Sequence, residues 1–102
     1  MIKSIDDFEH VFFIGVAGAG MSAIAQYLCG AGKKVSGSDR YFTSDHNDIR
    51  DKLAAAGIDC FLQDGSGITN NTQLVVVSTA IEDTVPEVQK AKALQIPILK
   101  RA

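Results

Sequence analysis

The sequence predicts an α/β domain: a doubly wound, five-stranded parallel sheet of order 3-2-1-4-5 with helices on both faces, three layers in all. Three observations lead there. Five short apolar runs, at 11–14, 34–38, 58–61, 74–78 and 96–99, are separated by stretches of helical spacing, the alternation of a βαβ chain. The fourth run, Leu74-Val75-Val76-Val77, is continuously apolar and β-branched, which suits a parallel strand covered on both faces. A glycine-rich turn, Gly15-Val16-Ala17-Gly18-Ala19-Gly20, joins the first run to an Ala-rich helix. Right-handed crossovers between five parallel strands make 3-2-1-4-5 the most economical order and put a ligand crevice at the carboxyl ends of the strands.

The elements follow in chain order. Ser4 with Asp7 three residues later suggests a capped turn or short helix ahead of the first strand. The first helix is predicted from the glycine loop through Gly30, with Met21, Ile24, Ala25 and Leu28 inward and Gly32 as terminator. A second helix is predicted over 48–56, burying Ile49, Leu53 and Ala56, showing Arg50, Asp51 and Lys52 to solvent, and stopped by Gly57. Residues 63–67, Gln-Asp-Gly-Ser-Gly, read as an ordinary turn. The third helix is predicted from Pro86, a residue with no N–H to leave unpaired, to about Leu94, with Val88, Ala91 and Leu94 inward.

Composition bounds what the domain does. One domain over residues 1–102 is the expectation for this length, and 46% hydrophobic residues suffice for one core. Ten basic against 12 acidic residues, a net charge of −2, imply no broad attraction to nucleic acid or to an anionic membrane. No apolar run approaches a membrane span and the first seven residues lack a signal-peptide pattern, so a cytoplasmic location is expected. Cys29 and Cys60, 31 positions apart, form no zinc or redox motif and are read as buried thiols.

An anion here must therefore be held locally, and the glycine loop is the place. Gly15 suits a tight turn, while Gly18 and Gly20 remove side chains where a phosphate approaches the backbone. The helix start at Ala19, Gly20, Met21 and Ser22 supplies unpaired N–H groups, a partial positive charge and the Ser22 hydroxyl. Gly18-Ala19-Gly20-Met21-Ser22-Ala23 fits G-x-G-x-x-G/A. Asp39 closes the second strand 19 residues after Gly20, where a ribose-binding carboxylate belongs, and Arg40 beside it is a candidate for phosphate or base. Ser78, Thr79 and Ala80 leave the fourth strand toward the same crevice. The bland readings stay open: a glycine turn needed only for helix–sheet packing, Asp39 as a turn or cap residue, Arg40 as a solvated arginine, and Ser78 and Thr79 in local turn bonds. His10 and His46 have no placed carboxylate or nucleophile beside them, and no catalytic pair or HExxH-type metal site appears. The sequence is that of a binding domain with no catalytic and no metal-ligating residue.

The string His10-Val11-Phe12-Phe13-Ile14-Gly15-Val16-Ala17-Gly18-Ala19-Gly20-Met21-Ser22-Ala23-Ile24-Ala25 resembles the N-terminal, Rossmann-like domain of the Mur ligases. The likeness continues through 35–39, 75–81, Pro86-Glu87 and 96–102, and is strongest to the branch that joins L-alanine to UDP-N-acetylmuramic acid. The resemblance implies a domain that holds the UDP moiety, with the glycine loop and helix start, Gly15, Ala17, Gly18, Ala19, Gly20, Met21 and Ser22, on the diphosphate, and Asp39 and the loop of Ser78, Thr79, Ala80 and Ile81 lining the uridine side. It implies a parent enzyme of peptidoglycan synthesis in which ATP phosphorylates the muramoyl carboxylate with Mg2+ assisting and an amine attacks the acyl phosphate. That chemistry needs a central ATPase domain as partner of this one. The 102 residues contain no G-x-x-x-x-G-K-[ST] loop, so no cofactor is expected within them and the domain alone is expected to be inactive. Ala17 stands where the family commonly has Gly, and Gln63 where a His commonly follows the third strand, which leaves a muropeptide-recycling ligase open. Two further alternatives are an NAD-binding domain of a dehydrogenase or ligand sensor, and an inert domain that keeps only the fold.

Overall fold

The computed structural model describes residues 8–16, 19–39, 48–61, 65–78 and 85–101. The elements run β1 (His10–Ile14), α1 (Ala19–Gly30), β2 (Lys34–Ser38), α2 (Asp48–Ala55), β3 (Asp59–Phe61), β4 (Leu74–Ser78), α3 (Pro86–Ala93) and β5 (Ile98–Arg101). All pairings are parallel and the sheet order is β3-β2-β1-β4-β5, the Rossmann-like order expected from the sequence. The capped turn expected around Ser4 and Asp7 lies outside the described residues.

Strand alternation explains the unbroken apolar runs. Val11 and Phe13 of β1 point to one face, where with Val35, Leu74 and Val76 they pack on Met21, Ala25 and Leu28 of α1 and Leu53 of α2. Phe12 and Ile14 point to the other, where with Val75 and Val77 they meet Val88 and Ala91 of α3 and Ile68. Each central strand is thus covered twice, and every fully buried Val, Ile or Phe contributes about 1.5–3 kcal/mol of transfer free energy.

The three helices end alike. At each C-terminus two N–H groups bond back across the last turn: Gly32 to Cys29 O and Lys33 to Leu28 O, Gly57 to Ala54 O and Ile58 to Leu53 O, Gln95 to Lys92 O and Ile96 to Ala91 O. This is the Schellman pattern, which needs a left-handed residue, supplied by Gly32 (φ 92°), Gly57 (φ 98°) and, without glycine, Gln95 (φ 60°). The motif accounts for three departures from expectation. Ala56 and Leu94, expected inward, are exposed because they occupy the last cap position, and the inward role passes two residues on to Ile58 and Ile96, both buried. The fifth strand, expected over 96–99, begins at Ile98 because Ile96 N–H is spent on the cap and Pro97 has none, while Pro97 C=O already pairs with Val75 N–H. A left-handed non-glycine residue costs about 1 kcal/mol. Gln95→Gly is therefore expected to raise stability by about 0.5–1 kcal/mol in a urea melt; a lower midpoint would show that the Gln95 side chain supplies something the cap geometry does not.

Residues 65–67 also differ from the ordinary turn expected there. Gly65 and Gly67 are buried, and a Cβ on Gly67 would lie 2.5 Å from Phe12 Cε2 and 2.7 Å from Phe61 Cδ2. The segment is wedged against the rings of β1 and β3.

Candidate functional site

The carboxyl end of the sheet is organised by one carbonyl. β1 stops at Ile14 and Gly15 takes φ 84°, a conformation open to glycine, which turns the chain across the end of β2. There Gly15 N–H and Val16 N–H both donate to Ser38 O, at 2.8 and 3.1 Å. The Val16 side chain fills the core space over Gly37, whose absent Cβ would sit 2.7 Å from Val16 Cβ and 2.9 Å from Phe13 O. Asp39, the residue after that shared acceptor, is held 6% exposed. The crossing therefore sets the exit of β1 beside the acid that ends β2.

Helix α1 opens at Ala19 with no acidic residue in its first turn, so no side chain of that turn offsets the partial positive charge of its N–H groups and dipole. Gly20 is exposed there and leaves the backbone bare. Met21 is a core residue through its side chain and offers the site only its N–H, and Ser22 is half-buried. Ser78 ends β4 on the opposite side of β1, so β2, β1 and β4 bring Asp39, Gly15, the start of α1 and Ser78 to one end of three adjacent strands. Of the other sequence candidates, Ala17, Gly18, Arg40, Thr79 and Ala80 lie outside the described residues, as do His46, Gln63 and Ile81.

No group of three His, Cys, Asp or Glu able to hold a metal occurs among the described residues. No described helix is long and apolar enough to cross a membrane. Cys29 and Cys60 are free thiols, half-buried rather than buried as expected. Burial favours the Cys60 thiol over the thiolate and pushes its pKa above the ordinary range despite the nearby Arg50 charge. Two residues at this end escaped the sequence reading. Gly37 was visible in principle, because glycine inside a strand signals a close backbone approach. Glu87, fully buried in the first turn of α3, carried no signal, since acids at that position are ordinarily solvated.

The family model described as Mur ligase family, catalytic domain, matches residues 10–102. The chain belongs to the Mur ligase family. Similar curated proteins are the UDP-N-acetylmuramate–L-alanine ligases of Mesorhizobium japonicum, 42% identical over 92 residues, and of Vesicomyosocius okutanii, 43% identical over 93 residues. These alignments take in 90% and 91% of the chain but 19% of each relative, so this Mur ligase chain spans about a fifth of the length of the curated proteins it matches. Among solved structures, the UDP-N-acetylmuramate-alanine ligase of Thermotoga maritima superposes with a TM-score of 0.78 at 29% identity, over 90% of this chain and 20% of that one. The match takes in both the glycine turn after β1 and Asp39 after β2 of this Mur ligase domain.

Proposed function

We propose that this chain is the substrate-anchoring domain of a UDP-N-acetylmuramate:L-alanine ligase-like enzyme of peptidoglycan synthesis, and that it holds the UDP part of UDP-N-acetylmuramic acid. The observation that carries the reading is the double hydrogen bond of Gly15 and Val16 to Ser38 O, which sets the exit of β1 beside Asp39, shortly ahead of a helix whose first turn has no acid. A diphosphate needs several N–H donors and a favourable dipole; a nucleoside needs an acceptor for hydroxyl or imide N–H groups. The loop and α1, with Gly15, Ala17, Gly18, Ala19, Gly20, Met21 and Ser22, take the first role. Asp39, with Arg40, Ser78, Thr79 and Ala80, takes the second.

The residues present do not fit ATP with magnesium. They include no phosphate loop carrying a lysine, and the described residues hold no acidic cluster. Carboxylate activation and amide formation therefore belong to a part of such a ligase outside these 102 residues. The contribution of this chain is placement of one substrate, in the cytoplasm where its nucleotide-linked precursor is made.

Calorimetric titration of the chain with UDP-N-acetylmuramic acid, UDP and NAD tests the reading. Heat is expected with both uridine ligands and none with NAD. NAD binding alone would favour the dehydrogenase alternative, and silence toward all three would leave an inert domain. Asp39→Ala is expected to weaken UDP by about 1–3 kcal/mol, the worth of hydrogen bonds to a charged group, with an unchanged melting temperature. An unchanged dissociation constant would return Asp39 to the role of a strand-end turn residue.

A further inference from the structure

Glu87 is the one acidic side chain among the described residues that is buried without any exposure, and the fold does not explain it. It stands just after Pro86 in the first turn of α3. One carboxylate oxygen, Oε2, accepts the Gly65 N–H at 3.2 Å; the other, Oε1, is buried with no partner among the described residues. One turn later Lys90 Nζ donates to Gly65 O at 2.9 Å. Both peptide groups of a single residue are thus gripped from α3, and that residue has φ 89°, which favours glycine. The partial positive charge of the α3 N-terminus offsets part of the cost of burying the carboxylate. A long, single hydrogen bond offsets little more.

The clamp joins segments that leave two strands separated in the sheet by β2 and β1. Gly65 belongs to the connection leaving the carboxyl end of β3, at one edge of the sheet, whereas α3 is entered from the carboxyl end of β4, on the far side of β2 and β1. Two residues beyond Gly65, Gly67 is pinned against Phe12 of β1 and Phe61 of β3, so the connection is already fixed from the core side. Ile68 of the same connection packs with Val88 and Ala91 of α3, and Glu87 and Lys90 add hydrogen bonds between that connection and the first turns of the helix.

We infer that Glu87 is a positioning residue for the nucleotide-sugar site, fixing the β3–β4 connection to the start of α3 so that the two flanks of the crevice hold one spacing. The inference rests on the UDP-binding reading and deepens it. Glu87 touches no ligand; it acts through Gly65. Lys90, whose side chain leaves α3 from an exposed position, is the second half of the same clamp.

The test is calorimetry of the chain with UDP-N-acetylmuramic acid, run beside thermal melts, on the parent sequence, Glu87→Ala, Glu87→Gln and Lys90→Met. Glu87→Ala is expected to weaken binding at least tenfold at a temperature where circular dichroism shows it folded. Glu87→Gln keeps an acceptor for Gly65 N–H and removes the buried charge, so it is expected to bind within about threefold of the parent and to melt no lower. Lys90→Met keeps the aliphatic stem and releases the Gly65 carbonyl, with an expected three- to tenfold loss of affinity and no change in melting temperature. Parent-like affinity in both Glu87→Ala and Lys90→Met overturns the inference while leaving the UDP reading intact. So does a Glu87→Gln variant as weak as Glu87→Ala. If the parent chain binds no uridine ligand, the UDP reading fails first and the inference falls with it.

Discussion

Gly37→Ala is expected to destabilise the domain by about 3 kcal/mol, the upper part of the range for adding a methyl group to a filled interior. The new Cβ would lie 2.7 Å from Val16 Cβ, 2.9 Å from Val16 Cγ1 and 2.9 Å from Phe13 O. The carbonyl cannot retreat, because Phe13 pairs with Gly37 on one side and Val76 on the other in the centre of the sheet. Relief must come from Val16, and moving Val16 draws its N–H and that of Gly15 away from Ser38 O. Those bonds are worth about 0.5–1.5 kcal/mol each, so strain and bond loss together reach the stated size. At roughly 4–8 °C per kcal/mol for a domain of this length, the melting temperature is expected to fall by more than 10 °C. Since the same crossing sets the glycine turn beside Asp39, the UDP reading proposed above has the folded remainder binding UDP more weakly too. Gly30→Ala is the matched control: nothing lies within 4 Å of its would-be Cβ, and a helical alanine replaces a helical glycine, so stability is expected to hold or rise by up to about 1 kcal/mol. A melt of Gly37→Ala within 2 °C of the parent would show that Val16 yields freely and that the crossing is not rigid.

The contrast between those two glycines says how much of this domain is legible in its sequence. Strand number, strand order and the double coverage of β1 and β4 follow from apolar runs, and the runs appear because each central strand serves two cores. The helix stops at Gly32 and Gly57 were readable because left-handed caps select glycine; the third helix ends near Leu94 as expected, but its left-handed Gln95 was not readable, because packing of Ile96 under α3 holds a glutamine in the same conformation. Ala56 and Leu94 misled for one reason. Helical periodicity carries no mark of where the helix ends, and both sit where the inward stripe passes to the residue after the cap. At the site, the local parts were legible: the turn at Gly15, the bare start of α1 and the acid closing β2. What joins them was not. Val16 over Gly37, Gly67 between Phe12 and Phe61, and Gly65 in the grip of Glu87 and Lys90 are contacts between segments distant in the chain, and a single sequence records the partners without recording the pairing.

Gly20→Asp is expected to strengthen the fold and, on the UDP reading proposed above, to weaken nucleotide binding strongly, separating two properties that most substitutions at such a site confound. Gly20 is the second residue of α1, exposed, and not in the left-handed region, so its backbone conformation does not call for glycine. An aspartate in the first turn of a helix that has no acid there gains about 0.3–1 kcal/mol from the dipole, besides removing a helical glycine. The melting temperature is therefore expected to rise by a few degrees. If the diphosphate sits on these N–H groups, the new carboxylate lies about 5 Å from its nearest charge, and at an effective dielectric constant of about 20 the repulsion is about 3 kcal/mol. Affinity for UDP is expected to drop more than 100-fold in low salt and to recover in part at high ionic strength, where exposed charges are screened. Gly20→Asn has nearly the same shape without the charge, and its loss is expected to be tenfold or less. Equal losses in the two variants would mean that steric approach to the backbone, rather than charge, governs the turn. A Gly20→Asp chain that binds UDP like the parent would remove the anion from α1 altogether, since no arrangement of a diphosphate on that helix start tolerates a carboxylate in its second position.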